Sequence, residues 1–552
     1  MKRSCDHAAV RHVAGLRAGL AAISMAVFVL MAVAPAGATT YTLNPGQDIT
    51  STINLMVPGD TLVLNPGNYS KTIRITSKNG NPSAWFTLRG SDAGTAKILA
   101  TGNNNMVEIR NSSYWRVENF EIDGRNTGGA WTASDGIKGT VNTDANNDYY
   151  HHFVFDNLYI HHLYNNCFSS HITGWDIEIR NCHFSDAQEV GLYMGNSNGY
   201  QPIMNFTFER NLVERTGNYN MEVKAQLPRV GVALGVTPGR EFTTWGYLIK
   251  DNVWMRDNAT VDANRPNFLI DAAPMSGPGV NDIATIEGNV VLGNATNAYV
   301  EAGFQLSGNL IVRNNIIMHI EGGGYAGIRI GTHQGITPRR LELVNNTVFM
   351  LAGSTDARCL SLFNLQNGYT QIIANNAFIR GDTAATAVSR DGLGSAVYAN
   401  NIIRGTGSLP GSTSINAIPL SQIFVNPVET PGLANLYPAV GSPLIDAGSS
   451  AYAAALDFNG ATRPQDAAAD VGAYEHYKQD NPGWQLADAF KRVGLAGDTD
   501  GDGHVDVVDL LNFVACFGTV STDPGYSAAC DFNSDGSIDV VDLLMLVNSF
   551  GL

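Results

Sequence analysis

Between about Thr39 and His476, asparagine returns at the head of one short apolar run after another. The runs begin at Asn157 (NLYI), Asn181 (NCHF), Asn211 (NLVE), Asn252 (NVWM), Asn289 (NVVL), Asn315 (NIIM), Asn346 (NTVF), Asn376 (NAFI) and Asn401 (NIIR), with gaps of 24 to 41 residues. Each unit holds several β-branched or aromatic stretches parted by Asn- and Gly-rich turns, and helical periodicity is scarce. A unit of this length cannot bury its apolar face alone, so it must stack on copies of itself. Stacked coils lie about 4.8 Å apart, and asparagines held in register would then form an internal hydrogen-bonded ladder. A propeller would need regular spacing near about 40–45 residues, which this chain lacks.

The ends of the stretch carry further motifs. VPGDTLVLNPGNYSKTIRI (Val57 to Ile75) is similar to the first coil of secreted bacterial β-helices. GSPLIDAG (Gly441 to Gly448) and DFNGATRPQDAAADVGAYE (Asp457 to Glu475) are similar to their C-terminal cap. With the asparagine-headed repeat, the stretch resembles the right-handed parallel β-helix of pectate lyases and of the chondroitinase-B and alginate-lyase group. The resemblance implies an all-β solenoid over residues 39–476 and leaves the reaction to be argued from a site.

Alternate residues of a strand face opposite ways. If apolar residues point inward, Phe168, Leu192, Met221, Phe268, Phe304 and Ile328 form one interior column. The outward stripe then contains Ser169, His171, Tyr193, Glu222, Lys224, Asp271, Gln305 and Arg329, with Arg229, Arg265 and His333 in loops beside it. Such a set suits β-elimination of a uronic-acid glycan, in which a base takes the C5 proton, a cation neutralises the neighbouring carboxylate and an acid meets the leaving oxygen. On this reading Lys224 is the base, its pKa lowered by burial or by nearby arginine. Glu222 and Asp271 hold a Ca²⁺ with help from Asn220, and Arg229, Arg265 or Arg329 grips carboxylates bidentately. The resemblance implies a comparable Asn/Glu calcium site, Lys base and Arg acid. NYNMEVKAQLPR (Asn218 to Arg229) is similar in composition, although Glu222 and Lys224 are only two residues apart. Two alternatives stay open: a hydrolase using Glu222 and Asp271 as its carboxylate pair, or a glycan-binding surface without catalysis. The histidine pairs His151-His152 and His161-His162 are sequence neighbours. In a strand one of each should point out and one in, which favours structural or stacking roles over a metal site.

The last sixty residues follow a different rule. DTDGDGHVDVVD (Asp498 to Asp509) and DFNSDGSIDVVD (Asp531 to Asp542) place oxygen ligands at the spacing a Ca²⁺ loop needs, with Gly503 and Gly536 at the sharp turn. The ligands are Asp498, Asp500, Asp502, Asp506 and Asp509 in one loop, and Asp531, Asn533, Asp535, Asp539 and Asp542 in the other. His504 and Ser537 would add backbone carbonyls. One helix pattern follows each loop, and a turn-rich connector precedes the second. The duplication resembles the dockerin module of secreted glycan-degrading systems, and implies a small all-α Ca²⁺-binding module over residues 494–552, joined by a linker at 477–493. It also implies docking onto a cohesin-like partner, in two possible orientations because the repeats match. The recognition positions hold Val507-Val508 and Val540-Val541, where the best-known dockerins often hold Ser-Thr.

Charge and the N-terminus bound the rest. The chain carries a formal charge of −16, and the ten aspartates from Gly494 onward, with no Lys or Arg among them, supply −10 of it. No basic stripe is present to meet phosphates, so nucleic acid is not an expected partner. Lys2, Arg3, Arg11 and Arg17, an apolar run from Leu20 to Val33 and Ala36-Gly37-Ala38 read as a secretory signal over residues 1–38. The run is too short to span a bilayer, so an extracellular protein with no membrane span in the mature chain is expected. Cys516 and Cys530 could form a disulfide there, while Cys167, Cys182 and Cys359 read as buried small hydrophobes.

Overall fold

The computed structural model describes residues 37–141, 148–224, 246–256, 265–271, 280–293, 302–318, 326–331, 337–351, 357–491, 497, 499, 505–521, 523–527, 530–532 and 536–550. The signal segment thus lies outside the described residues save for its last two. Among the described residues the chain winds into three long sheets of 13, 13 and 11 strands, every neighbouring pair parallel. One turn of the winding visits each sheet once: Tyr149–Asp156 in the first, Tyr159–Leu163 in the second and Phe168–Ser170 in the third. The next turn begins with Thr173–Arg180, in register on Tyr149–Asp156. This is a parallel β-helix, and its interior is a set of side-chain columns. The third-sheet column runs Phe168, Leu192, Met221, Phe268, Phe304, Ile328, as the alternation predicts. Each is essentially inaccessible, and burying a side chain of this size contributes about 1.5–3 kcal/mol. Trp115 and Trp254 also lie inside, Trp254 stacked 5.1 Å from Phe268.

The asparagine ladder exists, with a change of register. Asn211, Asn252, Asn289, Asn315, Asn346, Asn376 and Asn401 are fully buried at one corner of successive coils. From Asn252 onward each Oδ1 accepts the backbone N–H and the Nδ2–H of the asparagine before it; for Asn289 and Asn315 both distances are 3.0 Å. Asn157 and Asn181, expected in the same ladder, sit one residue earlier. They occupy the left-handed corner residue, φ 49° and 51°, and their amides bond outside the barrel to Asn119 and Asp156. Asparagine is among the few residues that accept a left-handed backbone, so it serves both positions and the sequence does not separate them. In these coils the ladder site belongs to Leu158 and Cys182, and Cys182 N–H donates to Asn211 Oδ1 at 2.8 Å.

A short helix, Ile49–Leu55, is capped by Asp48, which accepts from Ser51 N–H at 3.0 Å, and it adds Ile49 and Ile53 to the solenoid core. The segment expected as a C-terminal cap does something else. Residues 415–486 lie along the outer face of the second sheet. Ile423, Phe424, Leu436, Tyr437, Phe458 and Tyr474 cover Val253, Val290, Ile316, Phe349 and Ile379, forming a second apolar core. The strap is sewn to the corner asparagines: Asn375 meets Ser449, Asn345 meets Asp470 and Asn314 meets Leu456. Residues 477–491, expected as a linker, continue along this flank, with Leu486 and Lys491 buried.

The C-terminal region forms two helices, Val507–Cys516 and Val540–Ser549, one after each acidic loop. Both open with a capping box built by Asp506 with Asp509 and by Asp539 with Asp542. Val505, Phe513, Ile538 and Leu546 pack between them. Cys516 and Cys530 are both free thiols in this small core. Burial, with the neighbouring Cys516, pushes the Cys530 thiol up to about 12. No helix among the described residues is long and apolar enough to cross a membrane.

Candidate functional site

The third sheet and the turns that lead into it line a groove of about 440 Å³. Tyr193 and Glu222 come from the outward positions of adjacent strands, paired directly across the ladder. Lys224 follows the Glu222 strand, His171 follows the neighbouring strand Phe168–Ser170, and Asn165, Glu189, Tyr219 and Arg265 come from the turns. Lys224 Nζ donates to Glu222 Oε1 at 2.5 Å and lies 5.2 Å from the centre of the Tyr193 ring. His171 stacks on the same ring at 4.9 Å. Arg265, which is exposed, sits 5.8 Å over Tyr219.

The electrostatics follow from depth. Burial pushes the Glu222 carboxyl up, assisted by the charge of Asp271 and opposed by Lys224 and Arg265. For Lys224, burial alone would lower the pKa, but the charge and hydrogen bond of Glu222 outweigh it and hold the ammonium above its ordinary value. Lys224 therefore keeps its proton, the reverse of what the sequence reading required of a base. His171 is pushed down, first by burial and then by Lys138, against the pull of Asp135. Its imidazole is neutral near pH 7, and its ring makes no hydrogen bond among the described residues. Sequence reasoning placed His171 in the stripe without a chemical role; nothing short of its burial against Tyr193 marks it as a base.

Other expected partners are not brought together. Arg329 aligns with Gln305, then Leu269, then Glu222 across successive strands, so it is three rungs or about 14 Å from Glu222. Leu269, an apolar residue in an outward position, ends the polar stripe. Arg229 and His333 lie outside the described residues. Asp271 is buried close enough to act on Glu222 but does not line the groove. Asn220 is spent in the interior: its Nδ2 donates to Asn267 Oδ1 at 2.8 Å and to Met255 O at 3.0 Å, and its Oδ1 accepts from Thr216. With Asn220 turned inward and an ammonium on Glu222, this donor set does not fit a Ca²⁺ ion.

The acidic loops do fit a hard cation. Asp509 and Asp542, the last loop positions, are at most 1% exposed and fold back over their loops. They accept backbone N–H from Thr499 and Asp506, and from Phe532 and Asp539. Asp531 accepts from Gly536 N–H at 2.9 Å across the second loop. Asp506 and Asp539 each cap a helix through one oxygen, and Ser537 bridges to Val520. Asp498, Asp500, Asp502, His504, Asn533 and Asp535 lie outside the described residues. Each helix presents a matching exposed apolar stripe, Val507, Val508, Leu511, Val514, Phe517 and Val540, Val541, Leu544, Val547, Phe550.

The histidine pairs depart from the one-in, one-out expectation. His152 and His162 adopt left-handed backbone, φ 53° and 60°, and in each pair the two Nδ1 atoms meet.

Residues 496–551 match the model of the dockerin type I domain. No curated protein matches the chain. Among solved structures it is similar to pectate lyase Pel9A, with 14% identity over 80% of this chain and 97% of that one, at a TM-score of 0.42. It is also similar to an alginate lyase from Paenibacillus sp. str. FPU-7, with 16% identity over 57% and 95% and a TM-score of 0.33. A third is a lacto-N-biosidase from Eubacterium ramulus, with 12% identity over 68% and 67% and a TM-score of 0.41. At such identities the likeness concerns fold alone.

Proposed function

We propose that this parallel β-helix, which carries a dockerin type I domain at its C-terminal end, is a secreted polysaccharide-degrading enzyme that cleaves uronic-acid glycans by β-elimination. One observation carries the reading: a neutral imidazole, a lysine held protonated by a buried carboxylate, and a guanidinium line the same groove. His171 takes the C5 proton as the C4–C5 double bond forms. The C4–O bond breaks, and its oxygen takes a proton from the Lys224 ammonium. Arg265 neutralises the substrate carboxylate, whose negative charge grows as C5 loses its proton. Tyr193 and Tyr219 supply flat apolar surface for the sugar rings. Glu222 keeps Lys224 charged and in place.

The dockerin domain is the attachment device. Its two loops would hold Ca²⁺ through Asp498, Asp500, Asp502, Asp506, Asp509 and the His504 carbonyl, and through Asp531, Asn533, Asp535, the Ser537 carbonyl, Asp539 and Asp542. A cohesin-type partner meets the exposed Val and Leu stripe, so that contact is apolar where Ser-Thr dockerins are polar. Residues 494–552 form this module and residues 1–38 a cleaved export signal.

Incubation with alginate, pectin and chondroitin, following ultraviolet absorbance of unsaturated ends, tests the activity. New reducing ends without unsaturation would move the assignment to hydrolysis, for which the raised Glu222 carboxyl is the candidate acid. Binding with neither product would leave a glycan-binding solenoid.

A further inference from the structure

On the second sheet, away from the groove, three ligand-bearing side chains converge. Asp123 ends the strand Glu121–Asp123, and His161 pairs with it directly from Tyr159–Leu163. His162 is the next residue, and in extended backbone its ring would point into the core. Its φ of 60° turns the ring back to the side of His161, a left-handed conformation that non-glycine residues adopt infrequently. The ladder passes over His162 and its neighbour Asp186 together, pairing His161 with Ser185 and Leu163 with Ala187 without a change of register, and Asp186 is left-handed as well, φ 55°. The result brings His161 Nδ1, His162 Nδ1 and Asp123 Oδ1 within 4.8 Å of one another.

We propose that Asp123, His161 and His162 form a binding site for a divalent transition-metal ion of the Zn²⁺ class. Four features of the structure support it. First, the spacing fits. Ligands about 2.0–2.1 Å from a tetrahedral ion are about 3.3 Å apart. Asp123 Oδ1 lies 3.7 Å from His162 Nδ1 and 4.0 Å from His161 Nδ1, and the two Nδ1 atoms, now in hydrogen-bond contact, need only open. Second, the tautomer is set. His161 Nε2 faces Glu121 Oε1 at 2.8 Å, and a carboxylate only accepts, so Nε2 carries the proton and Nδ1 presents its lone pair. A carboxylate behind a histidine is the usual outer support of a metal-bound imidazole. Third, His161 is 2% exposed, stacked on Tyr159 at 3.9 Å, while Trp131 stands edge-on to His162 at 4.9 Å. The rings are held rather than free to turn away. Fourth, a cavity of about 250 Å³ lined by Lys97, Asp123 and Arg125 opens on the Asp123 side of the cluster.

Two cations compete. Arg125 grips Asp123 with Nε 2.9 Å from Oδ1 and an Nη 2.7 Å from Oδ2, and Lys97 bonds Glu121 at 2.6 Å. Oδ1 also accepts the Arg125 backbone N–H at 3.0 Å; an ion on Oδ1 shares the oxygen with that N–H and displaces only the Nε of the arginine side chain, which is about one-third exposed. The nitrogen donors separate this site from the all-oxygen loops of the dockerin domain.

The test uses tag-free full-length protein in excess Ca²⁺, which saturates the loops, titrated with Co²⁺ while visible d–d absorption is read. One Co²⁺ per chain is expected, displaced by Zn²⁺ and lost in His162→Ala and in His161→Gln. Arg125→Ala, which removes the competitor and leaves all three ligands, should bind at least as tightly as the natural protein. Absence of a Co²⁺ band in the natural protein, or an unchanged band in both histidine variants, overturns the proposal. Binding at least tenfold weaker in Arg125→Ala also overturns it, because the arginine would then be supporting the ion rather than competing with it.

Discussion

Lys491 places its ammonium nitrogen 2.6 Å from Asp251 Oδ1 across 240 residues of sequence, and both side chains are buried. A second bond reaches Gly288 O at 2.8 Å, and the nitrogen lies 3.6 Å from the centre of the Phe458 ring. Asp251 is the left-handed corner residue directly before ladder residue Asn252. The chain that leads to the acidic loops is therefore pinned to the edge of the ladder, with strap residue Phe458 against the same ammonium.

Lys491→Met keeps the bulk of the side chain but leaves Asp251 buried without its partner. Breaking one side of a buried pair costs about 3–5 kcal/mol. The midpoint of urea unfolding measures it, and a loss under about 1 kcal/mol would equate the pair with a surface bridge.

The ladder and the outer corner respond differently to substitution. Asn315→Ala removes the acceptor of two buried donors on Asn289, at about 1–3 kcal/mol for each donor left unsatisfied. Asn157→Ser acts on an outer amide and should cost less than about 1 kcal/mol. Equal losses in thermal unfolding would contradict the one-residue difference in register.

Activity should follow two groups with opposite shifts. His171 must be neutral, and its pKa is lowered, so the acid limb of the pH–rate profile lies below its usual 6.5. Lys224 must be charged, and its pKa is raised, so the alkaline limb lies above its usual 10.5. Glu222→Gln removes the charge that favours the ammonium and should move the alkaline limb down. A limb that does not move would take Lys224 out of the mechanism. His171→Gln should reduce turnover by at least a hundredfold.

Removal of Ca²⁺ should act on the C-terminal helices alone. Chelation leaves the buried carboxylates Asp509 and Asp542 without a counter-cation, and amide exchange at 507–516 and 540–549 should accelerate while the ladder corners stay protected. Leu511→Asp and Leu544→Asp should each leave one docking orientation to a cohesin-type partner, and only the double variant should abolish capture. Loss in either single variant would argue for one orientation.

Much of this architecture is legible in short stretches of sequence. The interior column from Phe168 to Ile328 follows from alternation alone. The Ca²⁺-type loops and their helices are local patterns of twelve and ten residues. The asparagine and histidine misreadings share one cause, backbone geometry at single residues. Asn157 and Asn181 look like ladder residues because asparagine tolerates both the ladder and the left-handed corner. His161 and His162 look like one inward and one outward residue because only the left-handed backbone at His162 turns them together. Lys224 looks like a base until the Glu222 carboxylate is found against it.

The sequence by itself determined the period, the sides of the strands and the ligand order of the acidic loops, since each depends on residues a few positions apart. The tertiary structure alone decided which outward residues share a surface. Turn lengths between coils set how far each strand is advanced, and the strap from 415 to 491 returns along a flank that no local pattern marks. Those are long-range relations, and they separate a groove at His171, Tyr193 and Lys224 from an arginine at 329 that the same stripe had placed beside them.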